Sequence, residues 1–309
     1  MEKALYQKYG KVAVIMGGTG PEREVSLMSG ERVLASLLKS GVDAYAFDPK
    51  NSQICNLVTE KIDRAFLVTH GKRGEDGLLQ GVLEYLEIPY TNSGVLASSL
   101  AMDKYRTKLI WQAYGIPIAK DQILHKNEFN FANFKLKLNL PVVVKPVHDG
   151  STIGLTKVYT EKNLEKAIKL AFENDMEVII EEMIIGEEFT VTVCDGSVLP
   201  AIKIEAPGGE YDYLNKYFTD NTRYICPTHL GLQHEQINAW ALSGYKAVGA
   251  RGVARLDFMV NRDKKVYFLE INTIPGMTAH SLVPMAFAAN GIDFDQMCLL
   301  ILDGAKLGD

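Results

Sequence analysis

Only four cysteines occur, Cys55, Cys194, Cys226 and Cys298, and they lie too far apart to form a CxxC pair or a disulfide framework. A reducing compartment is expected. No apolar run approaches the ~18 residues that span a bilayer. The first apolar segment, Val12 to Met16, is cut short by Gly17 and Gly18, so no membrane contact is expected and the protein reads as cytoplasmic. Basic blocks are also lacking: Lys+Arg 33 against Asp+Glu 38 leaves a formal charge of −5, which argues against nucleic acid as a partner. There is no GxxxxGKS/T loop, no GxSxG and no HExxH, and the six histidines do not cluster at metal-ligand spacing. Gly18-Thr19-Gly20 begins a dinucleotide fingerprint, but Arg23 stands where its third glycine belongs, which weakens an NAD-dependent reading.

What is present is an ordinary globular composition, 47% hydrophobic and 23% charged over 309 residues, enough for two or three domains at roughly 150 residues each. The first third alternates short apolar runs (Val12 to Met16, Ala44 to Phe47, Ala65 to Thr69) with helical patterns from Glu24 to Ser40 and Leu78 to Leu86. A short strand at Pro89 to Thr91 follows. That is the pattern of a parallel sheet covered on both faces. From Asp103 a helix through Tyr114 leads to strands at Val142 to Lys145, Leu155 to Tyr159 and Val178 to Glu181, with a helix over Glu161 to Glu173 between the last two. The remainder has hairpin signals at Asp195-Gly196 and Asn261 to Lys265 on either side of a helix from His234 to Gly249. The fold class is α/β and α+β, divided as residues 1–103, 104–185 and 186–309. Ala206 to Asn221, opening on Pro207-Gly208-Gly209, is a candidate mobile loop.

Arg255 and Asp257 share one face of a strand, and Glu270 and Asn272 share one face of its hairpin partner. Paired carboxylates with an amide suit a magnesium–nucleotide platform; the same residues also permit an ordinary salt bridge of Arg255 with Asp257 or Glu270. Lys145 ends a strand before the loop His148-Asp149-Gly150-Ser151-Thr152-Ile153-Gly154, whose backbone N–H groups could surround phosphate, or which could be a plain hairpin with a solvated lysine. Glu181 and Glu182, with Met183 to Ile185 and Glu187-Glu188 after them, are either an apolar-walled nucleotide site or a solvated hinge. Near Glu22 a helix begins, with Glu24 or Ser26 available as its cap.

Taken in order, Gly17-Gly18-Thr19 with Pro21-Glu22-Arg23-Glu24-Val25-Ser26, His70-Gly71 with Gly74-Glu75-Asp76-Gly77, Met102-Asp103-Lys104, Val144-Lys145-Pro146, Gly150-Ser151, Ala254-Arg255-Leu256-Asp257 and Glu270-Ile271-Asn272-Thr273-Ile274-Pro275-Gly276-Met277-Thr278 resemble the D-alanine:D-alanine ligase family of the ATP-grasp superfamily. The resemblance runs essentially end to end. It implies an ATP-grasp fold in which two α+β domains clasp ATP beside an N-terminal parallel-sheet domain.

The implied activity joins two D-alanine molecules through a D-alanyl phosphate, for peptidoglycan precursors. Asp257, Glu270 and Asn272 would hold two Mg²⁺, with Mn²⁺ as a substitute; Lys104, Lys145 and Lys216 would neutralise phosphate. Glu181 would lie at the adenine and Glu188 at the ribose. Arg255 and the Gly276 N–H would stabilise the tetrahedral intermediate. Glu22 and His70 would bind the first D-alanine, and Ser281 with Leu282 the second. Glu22, Ser151 and Tyr217 would link the N-terminal domain, the glycine loop and the Ala206 to Asn221 loop into a lid. The family also implies a homodimer. Tyr217, rather than phenylalanine, favours an amine acceptor over D-lactate. A D-alanine:D-lactate or related ligase, and a catalytically idle nucleotide-binding regulator, are the competing readings.

Overall fold

A computed structural model describes residues 7–150, 153–207 and 221–308. After a 3-10 turn at Gln7–Tyr9 the described residues run through β1 (Lys11–Ile15), α1 (Arg23–Lys39), β2 (Asp43–Phe47), the short α2 (Asn56–Thr59) and β3 (Arg64–Leu67). The strands form a parallel sheet in the order β2-β1-β3. β1 is apolar on both faces because both are covered: Val12 and Val14 share a core with Val33 and Leu37 of α1, and Ala13 and Ile15 share another with Leu57, Leu79 and Leu83. The strand expected at Pro89 to Thr91 shrinks to a single residue, Tyr90, with two isolated bridges. Tyr90 is wedged between Ala65 and Lys306, and Asn92, at φ 67, turns the chain away before a ladder can extend.

Next come α3 (Leu78–Tyr85), α4 (Val95–Met102) and α5 (Lys104–Ala113). Asp103 caps α5, its carboxylate accepting the Arg106 N–H at 2.8 Å. The second sheet is built from β4 (Asp121–His125), β5 (Val142–Pro146), β6 (Thr156–Val158) and β7 (Glu177–Glu182), antiparallel throughout in the order β4-β7-β5-β6. Helix α6 (Leu164–Asn174) covers it because Leu164, Ala167, Ile168, Ala171 and Phe172 recur at helical spacing and face Val142, Val144, Val158, Val178 and Ile180.

The third sheet comprises β8 (Gly186–Cys194), β9 (Ser197–Val198), β10 (Ile202–Glu205), β11 (Arg223–Ile225), β12 (Val253–Asn261) and β13 (Val266–Asn272). Its order is β11-β10-β8-β12-β13, with β9 beside β8. Both expected hairpin turns are there. One face is apolar: Phe189 stacks on Phe258 at 5.4 Å, and Trp111 of α5 meets Phe268 edge-on at 5.9 Å. Helix α7 (His234–Ala247) completes that core with Ile237, Ala241 and Tyr245. The last helices, α8 (Leu282–Ala289) and α9 (Phe294–Asp303), return to the N-terminal part, where Leu282, Phe287, Met297 and Leu302 pack with Val33 and Leu37. Among the described residues no single helix is long and apolar enough to cross a membrane.

Candidate active site

At the carboxyl ends of β1 and β3 the chain turns sharply, with Gly17 and Gly18 at φ 81 and 77. Arg23 closes this turn. Its Nη1 donates to the Gly18 carbonyl at 2.7 Å and its Nη2 lies 2.6 Å from Asp48; a Cβ on Gly17 would stand 2.7 Å from that same Nη1. Arg23 is therefore a structural clamp where a dinucleotide fold would carry glycine. Burial would push the Asp48 carboxyl up, but hydrogen bonds from Arg23 and from the Lys50 and Gly18 N–H groups hold it at about 2.

Neither Glu24 nor Ser26 caps α1: Glu22 occupies the cap position, and no side chain bonds there. The Ser26 hydroxyl instead accepts from Gly17 N–H and donates to the Val68 carbonyl, both at 2.7 Å, which ties β1 to β3. Glu22 is buried. A Cβ on Gly71 would come within 2.7 Å of its Oε2, and one on Gly150 within 3.4 Å, so the carboxylate lies between the β3 exit and the glycine loop. His70, also buried, sets Nδ1 3.0 Å from the Ile274 carbonyl and 3.6 Å from Glu75. Burial lowers its affinity for a proton, but Glu75, Glu22 and the Ile274 carbonyl together raise it.

Lys104, the first residue of α5, donates to the Asp149 carbonyl at 2.6 Å and stands 3.4 Å from Glu270 Oε2. Lys145 is not solvated as a plain hairpin would have it. It pairs with Glu181 at 2.7 Å; Glu181 pairs with Lys108 at 2.7 Å, and Lys108 with Asp121 at 3.0 Å. Glu181 is thus a buried strand residue rather than part of a solvated hinge. Burial alone would raise its pKa, but Lys108 and Lys145 outweigh that and hold it at about 2. Ser151, Lys216 and Tyr217 lie outside the described residues.

On the polar face of the third sheet Asp257 stands directly across from Glu270, and Arg255 across from Asn272, with a register shift between Asp257 and Phe258. Such a bulge re-aims side chains at a site. Arg255 grips Asp257 with two bonds, Nε at 2.8 Å and Nη2 at 2.7 Å, and Asn272 Nδ2 donates to Asp257 at 3.3 Å. The salt-bridge alternative is realised in this sense between Arg255 and Asp257. Glu188 pairs opposite Met259 on the neighbouring strand, which puts it on the same face. Opposed carboxylates repel unless cations intervene. Arg255 and Lys104 supply positive charge here, and the two carboxylates plus the amide are hard oxygen donors of the kind Mg²⁺ takes. The donor set fits that ion.

Beyond β13 the loop carrying Gly276 is buried and held from α1. Ser29 accepts the Met277 N–H at 3.1 Å, and Arg32 donates to the Met277 and Thr278 carbonyls at 3.2 and 2.6 Å while lying 3.8 Å over Phe294. Ser281 precedes α8 without capping it; its hydroxyl is turned to Thr278 N–H at 2.9 Å. The first N–H groups of α8, from Leu282 onward, therefore have no side-chain cap, an arrangement that suits a carboxylate.

Lys108, Asp121, Asp48, Ser29 and Arg32 carry no role in the sequence reading. Only Lys108 left a trace: Lys104, Thr107, Lys108 and Trp111 are buried at i, i+3, i+4 and i+7 along α5, so a lysine sits on an inward-facing stripe. Its acidic partners come from other elements and are invisible to local pattern.

A glycine loop on one antiparallel sheet, an oxygen-donor pair on another and lysines between them define an ATP-grasp enzyme. The family described as D-ala D-ala ligase C-terminus matches residues 110–303. The D-alanine--D-alanine ligase of Aromatoleum aromaticum is 52% identical over 97% of this chain and 97% of its own, and that of Azoarcus sp. is 48% identical over 98% and 99%. The crystal structure of the Bacillus anthracis D-alanine--D-alanine ligase complexed with ATP superposes with a TM-score of 0.83 at 36% identity, covering 95% of this chain and 96% of that one. The D-Ala:D-Ser ligase of Enterococcus faecalis gives 0.81 at 31% identity, over 96% and 99%. The chain belongs to the D-alanine–D-alanine ligase family.

Proposed function

We propose that the protein uses ATP to ligate two D-alanine molecules into D-alanyl-D-alanine for peptidoglycan synthesis. The observation that carries this reading is the cross-strand pair Asp257 and Glu270, joined through Lys104 to the glycine loop. The carboxylate of the first D-alanine attacks the γ-phosphorus of ATP, giving D-alanyl phosphate and ADP. The amino group of the second then attacks the acyl carbon, phosphate leaves, and a proton is lost from the new amide nitrogen.

Two Mg²⁺, or Mn²⁺ in their place, held by Asp257, Glu270 and Asn272, would supply charge neutralisation at the phosphates. Lys104, Lys145 and Lys216 add to it, with adenine near Glu181 and ribose at Glu188. Glu22 and His70 orient the first D-alanine; Ser281 and the Leu282 N–H orient the second. Arg255 and the Gly276 N–H take the charge that develops on the tetrahedral oxygen, a contribution of ~3 kcal/mol per donor in comparable sites. Glu22 with Ser151 and Tyr217 closes over the intermediate and keeps water from it. We propose further that the working enzyme is a cytoplasmic homodimer whose three units are residues 1–103, 104–185 and 186–309.

Phosphate release measured with ATP, Mg²⁺ and D-alanine tests the reaction. D-alanine-dependent release with dipeptide as product is expected, and release that ignores D-alanine overturns it. Comparing dipeptide with depsipeptide formation when D-lactate competes, across pH, separates the two acceptor classes, because only the amine gains reactivity as it deprotonates.

A further inference from the structure

His148 lies within the glycine loop, and none of the roles above uses its side chain. Its Nδ1 is 2.9 Å from Asp175 Oδ2, its Nε2 is 3.2 Å from Asp103 Oδ2, and its backbone N–H donates to Asp175 at 2.7 Å. A neutral imidazole has one N–H; meeting a carboxylate at both nitrogens requires both protons. The two anchors belong to different elements. Asp103 caps α5, and Asp175 precedes β7. On either side of His148 the Val147 and Asp149 carbonyls accept from Lys104, through its backbone N–H at 3.4 Å and its Nζ at 2.6 Å.

Glu177 of β7 is a third carboxylate at the ring, its Oε2 3.8 Å from His148 Nε2. Arg106 of α5 bridges Asp103 and Glu177, His125 of β4 lies 3.1 Å from Glu177, and Lys72 reaches Asp149 at 2.8 Å; Arg73 and Asp76 line the same cavity as His148. Asp103, His148 and Glu177 bring their ligand atoms close enough for a metal. Arg106 already provides the cation between the two carboxylates, so the cluster reads as an ion-pair bolt.

We propose that His148 is a positioning residue for nucleotide binding: as an imidazolium bridging Asp103 and Asp175, it seats the phosphate-binding loop on the N-terminus of α5, so that Lys104 is held between that loop and Glu270. This rests on the reading of the loop as a phosphate site. Hydrogen bonds to Asp103 and Asp175 outweigh burial and raise the imidazole pKa from 6.5 to about 9. The contribution is complete below the unfolded value of 6.5 and is lost as pH rises through about 9, where one nitrogen turns a lone pair toward a carboxylate.

NMR of the wild-type chain carrying labelled histidine reads this titration, with the His148 resonance assigned from H148N or, if that variant does not fold, from its shift in D175N. A midpoint near 9 is expected; one at or below 6.5 overturns the proposal. Binding of a non-hydrolysable ATP analogue with Mg²⁺ provides the second readout. H148N should weaken it by about tenfold, as loss of a charge-assisted pair does, with a smaller rise in the KM for D-alanine and no loss of affinity between pH 8 and pH 9.5 beyond that of the other groups. H148R, which keeps two donors and a fixed charge, should restore affinity to within about threefold. Equal losses for nucleotide and D-alanine, or no loss for either, overturn the proposal. A wild-type chain with no saturable nucleotide binding sinks the functional reading instead, and the histidine midpoint then decides the bridge by itself.

Discussion

Lys104 Nζ stands 3.4 Å from Glu270 Oε2 and 2.6 Å from the Asp149 carbonyl, so one ammonium touches both the oxygen-donor strand and the glycine loop. Its position follows from being the first residue of α5, directly after the Asp103 cap. The contact brings a cation to a carboxylate that stands across the hairpin from another, Asp257. A phosphate arriving there exchanges one anion on Lys104 for another, at small electrostatic cost.

Glu270→Gln keeps the shape of that side chain and removes its charge. Turnover should fall by at least ~10²-fold, the scale of losing an electrostatic stabiliser. The melting temperature should stay within about 3 °C of the parent. Phosphate release and thermal unfolding check the two halves, and near-normal kcat at low Mg²⁺ would contradict the metal role.

Lys108→Met tests the buried relay. Lys108 is buried between Glu181 and Asp121, and removing one member of such a cluster strands the others at about 3 kcal/mol. Urea unfolding should show that loss. Lys145 then becomes the remaining cation on Glu181, so the KM for ATP should rise as well; unchanged stability would mean the relay is not under tension.

Arg32→Ala removes the donor to the Met277 and Thr278 carbonyls and uncovers Phe294. A stability loss of ~1–3 kcal/mol follows from leaving buried carbonyls without their partner. Because that loop carries Gly276 and leads to Ser281, the KM for D-alanine should rise more than the KM for ATP. Steady-state kinetics with each substrate varied in turn would reveal the opposite order if the loop serves another purpose.

Stability should fall at both ends of the pH range. Burial raises the Asp48 and Asp175 carboxyls, but Arg23 and backbone N–H groups on the first, and His148 on the second, hold both at about 2 against an unfolded 3.8. Their contribution is full above the unfolded value and is lost as pH falls from 3.8 toward 2. The His148 contribution has the opposite sign and disappears as pH rises through about 9. Melting temperature against pH should therefore show a plateau between two slopes, and Asp48→Asn should flatten only the acid one.

Strands and helices with strong periodicity were legible in the sequence: α1, α6, β1 and the β12–β13 hairpin fall within a few residues of their expected places. Helix α4 was not, because its larger apolar residues Val95, Leu96, Leu100 and Met102 are partly or fully exposed while the buried Ala97, Ser98 and Ala101 are small, so no apolar face stands out. β4 was also missed; three of its five residues, Asp121, Gln122 and Ile123, are only partly buried. Helices α8 and α9 were not read either: α8 is apolar in every residue and shows no polar face, and α9 confines Asp295 and Gln296 to its first turn.

The order of motifs along the chain, and the alternation that puts Arg255, Asp257, Glu270 and Asn272 on one sheet face, are properties of the sequence alone, since a pleated strand fixes side-chain direction by parity. Which charges meet is not. The bridge from Asp175 through His148 to Asp103, the relay from Lys145 to Asp121 and the grip of Arg32 on the Gly276 loop join residues far apart in the chain. Only folding brings these groups within hydrogen-bond distance in buried or half-buried surroundings, where cation and carboxylate favour each other, and no local pattern can encode a partner that another element supplies.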